Sequence, residues 1–156
     1  MLSKYLTPES IHLKVPAKTW QEAVQSSGDL LVKTGKCEPR YVDAIIQAAK
    51  DMGPYMVIAP GLALMHARPE DGALQMGISI ASLSSPVNFG SEANDPVELI
   101  ISFCTIDRHS HIKMLEELAV FLMDEKNLTM LRSSDSVKGV IATFQQPKQE
   151  TTQCQN

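Results

Sequence analysis

A chain of 156 residues that is 44% hydrophobic and 21% charged, with a net charge of −4, has the size and composition of one globular domain. The negative balance speaks against nucleic-acid binding, which rests on a basic patch or stripe, and no apolar run approaches the about 18 residues of a membrane-span candidate. Cys37, Cys104 and Cys154 are odd in number, far apart and without a C-x-x-C pair, so the expectation is reduced thiols rather than a disulfide framework.

Met1 to Val15 mixes Lys4, Glu9, His12 and Lys14 with single apolar residues and carries no secretory pattern, so a cytoplasmic location is expected. Within it Ile11, Leu13 and Val15 alternate with His12 and Lys14, the period-two pattern of a strand with one buried face. Thr19 followed by Glu22 reads as a capping box, and Trp20, Ala23, Val24, Leu30 and Leu31 form the stripe of a helix that stops before Gly35. Pro39 suits the first turn of a second helix, in which Val42, Ile45, Ile46, Ala49 and Met52 share a face and Gly53 is the stop.

From Tyr55 the chain changes to two short apolar extended segments broken by Pro60-Gly61. Leu74, Met76, Ile78 and Ile80 alternate as another strand, and Ser84 to Asp95 reads as a loop in which Val87 and Phe89 could pair briefly. Val97 to Ile106 is a near-continuous apolar run, as a central strand would be. Asp107 or Ser110 is placed to cap a helix in which Ile112, Leu115, Ala119 and Leu122 lie together. A last amphipathic helix is predicted near Ser134 to Phe144, with Val137, Ile141 and Phe144 inward. The order of strand, two helices, several strands and two helices is α/β, a single domain over residues 1–145 with a mixed sheet flanked by helices, followed by a polar tail at 146–156.

Chemistry concentrates in two places. In Pro60-Gly61-Leu62-Ala63-Leu64-Met65-His66-Ala67-Arg68, an extended chain sends Leu62, Leu64, His66 and Arg68 to one side. His66 then emerges at the end of an apolar face, a setting for an imidazole nucleophile, and the Arg68 fork matches a phosphoryl group. The same residues fit a partly buried histidine beside a surface arginine. The second place is Asp107-Arg108-His109-Ser110-His111, after the apolar strand and at a helix start, where sites gather in open α/β sheets and where free N–H groups favour anions. His111 is placed to hold a phosphate or orient another histidine, while His109 reads as a solvated turn residue. As metal ligands His109 and His111 would need a third partner, with His66, Asp107 and Glu92 only nominal choices. There is no Walker loop, G-x-G-x-x-G or G-x-S-x-G, which removes the commonest nucleotide and hydrolase readings. Cys104 ends the apolar strand as a core thiol would.

With Pro60, Gly61, Ala63, Leu64 and His66 in place, the segment GPYMVIAPGLALMHARPEDG resembles the type-2, mannitol and fructose-class enzyme IIA domains of the bacterial sugar phosphotransferase system. Tyr41-Val42-Asp43-Ala44-Ile45, Asn94-Asp95-Pro96-Val97 and His111 before Leu115 and Leu118 extend the likeness over about residues 3–144. The wording from Gly53-Pro54-Tyr55 to Gly72 is most similar to the ascorbate-type branch. Met65 stands where that family usually has proline, and Ala48 where its helix arginine lies.

The resemblance implies a phosphotransferase with a phosphohistidine intermediate and no cofactor or metal. His66 would accept a phosphoryl group on Nε2 from phosphohistidine HPr and pass it to a cysteine of a cognate enzyme IIB, serving a membrane enzyme IIC indirectly. His111 would orient the phosphate or His66, Arg68 would serve in place of the missing arginine, and Leu62, Leu64 and Met65 would form an apolar docking rim. Two other readings stay open: a regulatory or interaction domain of the same fold, and a metal-dependent hydrolase using His66, His109 and His111. The sugar, and whether the chain forms a homo-oligomer, are not given by the sequence.

Overall fold

In the computed structural model, which describes residues 2–146, a five-stranded mixed sheet runs in the order β1-β4-β5-β3-β2. The strands are β1 (Ile11–Val15), β2 (Val57–Ala59), β3 (Leu62–Met65), β4 (Gly77–Val87) and β5 (Val97–Cys104). β1 is parallel to β4 and β3 to β5, while β4–β5 and β2–β3 are antiparallel. Helices α1 (Trp20–Lys33) and α2 (Pro39–Met52) pack on one face. The other face carries α3 (Arg108–Met123), α4 (Glu125–Ser133), α5 (Val137–Gln145) and the N-terminal residues around Leu2 and Leu6. Of the tail predicted at 146–156, residues 147–156 lie outside the described residues.

Strand alternation sorts the core into two layers. On β5, Leu99, Ile101 and Phe103 meet α3 to α5, and Ile100 and Cys104 meet α1 and α2. Thr19 caps α1 by accepting from Glu22 N–H, as the capping pattern predicts. α1 and α2 approach closely at Gly28, where a Cβ would stand 2.7 Å from both Val42 methyls. Buried Ser27 meets Ser102 Oγ at 2.6 Å and accepts from Ser79 Oγ on its carbonyl at 2.8 Å, pinning α1 to the sheet centre. Gly61 turns the chain between β2 and β3 at φ +72°, a conformation that suits glycine. Arg132 of α4 donates to the Pro60 carbonyl and pairs with Glu98, closing α4 over that turn.

Several expectations are corrected. The strand read from Leu74 begins at Gly77, with Leu74 exposed, and it continues to Val87 through the stretch read as a loop. Ser84, Ser85 and Pro86 are exposed, so they carry no burial pattern although they extend the strand. α3 buries Met114, Leu118 and Leu122, whereas Ile112 and Ala119 face outward. Within α2, Met52 is exposed and Tyr41 is buried in its place. The C-terminal part holds three helices rather than two, because α4 was hidden by its single fully buried residue, Leu131.

Candidate functional site

Parallel β3 and β5 end side by side, with Met65 in register with Ser102. The chain that leaves β3 carries His66, while β5 ends in Phe103 and Cys104 and is followed by Thr105. His66 continues the alternation of Leu62 and Leu64, so its ring falls on the α3 side and stacks on Phe103, with centroids 4.8 Å apart at 20°. Asp107 then caps α3 by accepting from Ser110 N–H at 2.7 Å, and the first turn of that helix brings His111 to 5.3 Å from the His66 ring. Phe103 also meets His111, at 5.6 Å, and so floors both imidazoles.

Each ring is held at Nδ1. His66 Nδ1 lies 3.3 Å from the Leu64 carbonyl. A carbonyl only accepts, so this contact places the proton on Nδ1 and leaves the lone pair on Nε2. His111 Nδ1 lies 3.1 Å from the hydroxyl of buried Thr105. Burial, and then the nearby His111, hold His66 below the ordinary imidazole range, while the Leu64 carbonyl opposes them. Burial likewise lowers His111, opposed by Glu70. Both rings are thus neutral near physiological pH.

Arg68 is exposed, and its guanidinium turns back to Asp71 at 3.4 Å and Glu70 at 3.9 Å. β3 ends at Met65, so the alternation that would have aligned Arg68 with His66 does not reach it. Arg68 lines an open cleft of about 440 Å³ with Pro69, Glu70, Ile106, Asp107, Arg108 and His111. His109 is exposed at the α3 start. Among the described residues no group of three His, Cys, Asp or Glu side chains is placed to hold a metal ion, so His66, His109 and His111 do not form the ligand set a hydrolase would need.

The apolar rim also needs correction. Leu62, Leu64 and Met65 are core residues, at 0%, 5% and 1% exposure, and the apolar side chain open at the cleft is Ile106. Sequence reasoning missed Phe103 and Thr105 as parts of the site. Their place at the carboxyl end of the most apolar strand was the available signal.

Comparison with known proteins decides what this geometry belongs to. The family model "Phosphoenolpyruvate-dependent sugar phosphotransferase system, EIIA 2" matches residues 4–146. The chain belongs to that family. Among its relatives is the "Ascorbate-specific PTS system EIIA component" of Salmonella choleraesuis (strain SC-B67), 41% identical over 133 residues, covering 85% of this chain and 86% of the relative. The solution structure of the mannitol-specific cryptic phosphotransferase enzyme IIA CmtB from Escherichia coli superposes with TM-score 0.83 at 36% identity, over 91% of this chain and 96% of that one. A complex of enzyme IIA Mtl with phosphorylated enzyme IIB Mtl from Escherichia coli gives 0.76 at 30% identity, over 88% and 95%. This EIIA chain is therefore a phosphotransferase-family member with the mixed α/β fold expected from its sequence. No helix among its described residues is long and apolar enough to cross a membrane.

Proposed function

We propose that this EIIA component accepts a phosphoryl group on His66 Nε2 from phosphohistidine HPr and donates it to a cysteine of a cognate enzyme IIB. The observation that carries the reading is the His66 ring itself: half-buried, neutral, donating its Nδ1–H to the Leu64 carbonyl, and stacked on Phe103 beside His111. In-line attack by the Nε2 lone pair on the phosphorus of the donor's phosphohistidine forms one N–P bond as the other breaks. The donor imidazole leaves with the electron pair of the broken N–P bond, and His66 keeps its Nδ1 proton, its ring carrying the positive charge beside the negative phosphoryl oxygens.

His111 sits beside the arriving phosphoryl oxygens, where a donor N–H would take up part of their charge. The α3 N-terminus adds free N–H groups on the same side. Arg68 and Arg108 line the cleft that opens next to His111 and offer guanidinium forks to those oxygens. Arg68 would need to exchange its exposed pairs with Glu70 and Asp71, which hold it weakly in water. The enzyme IIB role is supported by the mannitol IIA–IIB complex and the ascorbate substrate by the curated relatives.

Incubation with phosphoenolpyruvate, enzyme I and HPr, followed by mapping of acid-labile phosphate, tests this. Label on His66 that disappears in His66→Ala and moves to a thiol of the ascorbate-type enzyme IIB is the expected result. Label on His66 with no transfer to any enzyme IIB would support the regulatory reading instead. No label from a competent HPr would overturn the carrier function.

A further inference from the structure

Tyr41 is fully buried on α2, on the opposite side of the sheet from the histidines. Its hydroxyl nevertheless reaches the two chain ends that make the site. It donates to the Phe103 carbonyl at 2.7 Å and accepts from Ala67 N–H at 3.0 Å. Phe103 is the floor under both imidazoles, and Ala67 follows His66 directly. One phenol therefore ties the backbone just past β3 to the backbone at the end of β5. Those two backbones are joined by no ladder pair beyond Met65 and Ser102. Burial pushes the phenol far above its ordinary range, so it stays a neutral O–H, able to donate once and accept once.

We infer, on the basis of the carrier reading above, that Tyr41 is a positioning residue for phosphoryl transfer: its hydroxyl clamps Ala67 to Phe103 and so fixes the His66 imidazole on the Phe103 ring. The clamp acts through the backbone and touches neither the phosphoryl group nor the partner. Met65 makes it necessary. Without proline before His66, φ of residue 65 is not locked by a ring, and the link at Ala67 restrains the segment from its other end. A ring displaced by about 1 Å loses in-line geometry, which is worth up to about a hundredfold in rate.

The test compares wild type, Tyr41→Phe and Ser102→Ala. Ser102→Ala removes a buried hydroxyl from β5, one that bonds Ser27 rather than either site segment. Tyr41→Phe is expected to transfer phosphate from HPr about tenfold to a hundredfold more slowly with KM for HPr unchanged. Its His66 ring proton resonances should lose their aromatic ring-current shift, and their titration midpoint should rise toward the free imidazole value. Ser102→Ala should lower Tm while leaving rate and titration as in wild type.

A Tyr41→Phe protein that loses stability but keeps the wild-type His66 titration and rate would overturn the proposal. In wild-type protein the Ala67 amide is expected to resist hydrogen exchange, and exchange at the rate of an open amide would overturn it too, whether or not the variant folds. Ring titration and amide exchange need no phosphoryl donor. Failure of wild type to accept phosphate would therefore count against the carrier function and leave the clamp to be judged by these two measurements.

Discussion

At the residue scale, the two imidazoles tie activity and stability to pH with a definite sign. Burial lowers His66, with the nearby His111 adding to it, and burial lowers His111. The unfolded chain binds protons near the ordinary value of about 6.5. Below that pH the unfolded state takes up protons that the folded state refuses, so stability is complete above it and falls as pH descends toward the folded values. Urea titrations from pH 8 downward should show this fall, and the double variant His66→Gln/His111→Gln should flatten it. Phe103, at 0% exposure, supports both rings. Phe103→Ala should cost about 3–5 kcal/mol in urea unfolding, and it should move both histidine titrations upward as water reaches the rings. The sequence singled out His66 and His111 by residue type and position, and the structure brings the two rings together. Phe103 and Thr105 were not singled out, because a phenylalanine inside an apolar strand has the same signature whether it fills a core or floors a site.

At the scale of elements, legibility followed burial. β1 and α1 bury a clear periodic set, and the two strands around Gly61 are short apolar runs broken at Pro60-Gly61, so all four stood out in the sequence. α4 did not, since a helix anchored by Leu131, with Leu128 only packed against the core, presents no stripe. α3 was found but rotated in part: of the predicted face Ile112, Leu115, Ala119 and Leu122, the structure packs Leu115 and Leu122 on the core and turns Ile112 and Ala119 outward, with Met114 and Leu118 inward instead. Only the capped first turn, fixed by Asp107, sets which row meets the sheet. Asp107→Ala should therefore slow phosphoryl transfer by loosening His111, detected as broadened His111 ring signals while far-ultraviolet dichroism stays near wild type. Between α1 and α2 the close approach at Gly28 is specific to this pair. Gly28→Ala should lose about 1–3 kcal/mol by overpacking against Val42. The double variant Gly28→Ala/Val42→Ala should lose less than the sum of the single changes, a coupling readable by a double-mutant cycle.

At the scale of the whole molecule, the sheet separates two layers that serve different ends. The layer under α1 and α2 holds Cys37, Cys104 and the clamping Tyr41, and the layer under α3 to α5 holds the surfaces on which the imidazoles rest. The single S–H of Cys104, buried at the end of β5, is within reach of the carbonyls of Gln75 at 3.2 Å and Lys36 at 3.4 Å. The side-chain contact with Cys37, and then burial, keep Cys104 a thiol. Alkylation of native protein, read by peptide mapping, should leave Cys37 and Cys104 unmodified until denaturant is added. The composition announced such a covered sheet, since Val97 to Cys104 has too few polar residues for a strand with a wet face. It could not announce that the helices on both sides would reach the same pair of strand ends.

The side-by-side ends of β3 and β5 also impose a parity on inheritance in this segment. His66 lies on the imidazole-bearing face because an even count of residues separates it from Leu64 and Leu62. Residues exchanged one for one along β3 leave that count undisturbed. One inserted or deleted residue between Gly61 and His66 would instead turn the imidazole through the sheet, into the layer of Ala63 and Met65. Length is therefore guarded more strictly than identity in these few positions, and lineages of this domain should accumulate substitutions there while shedding every odd-numbered change of length.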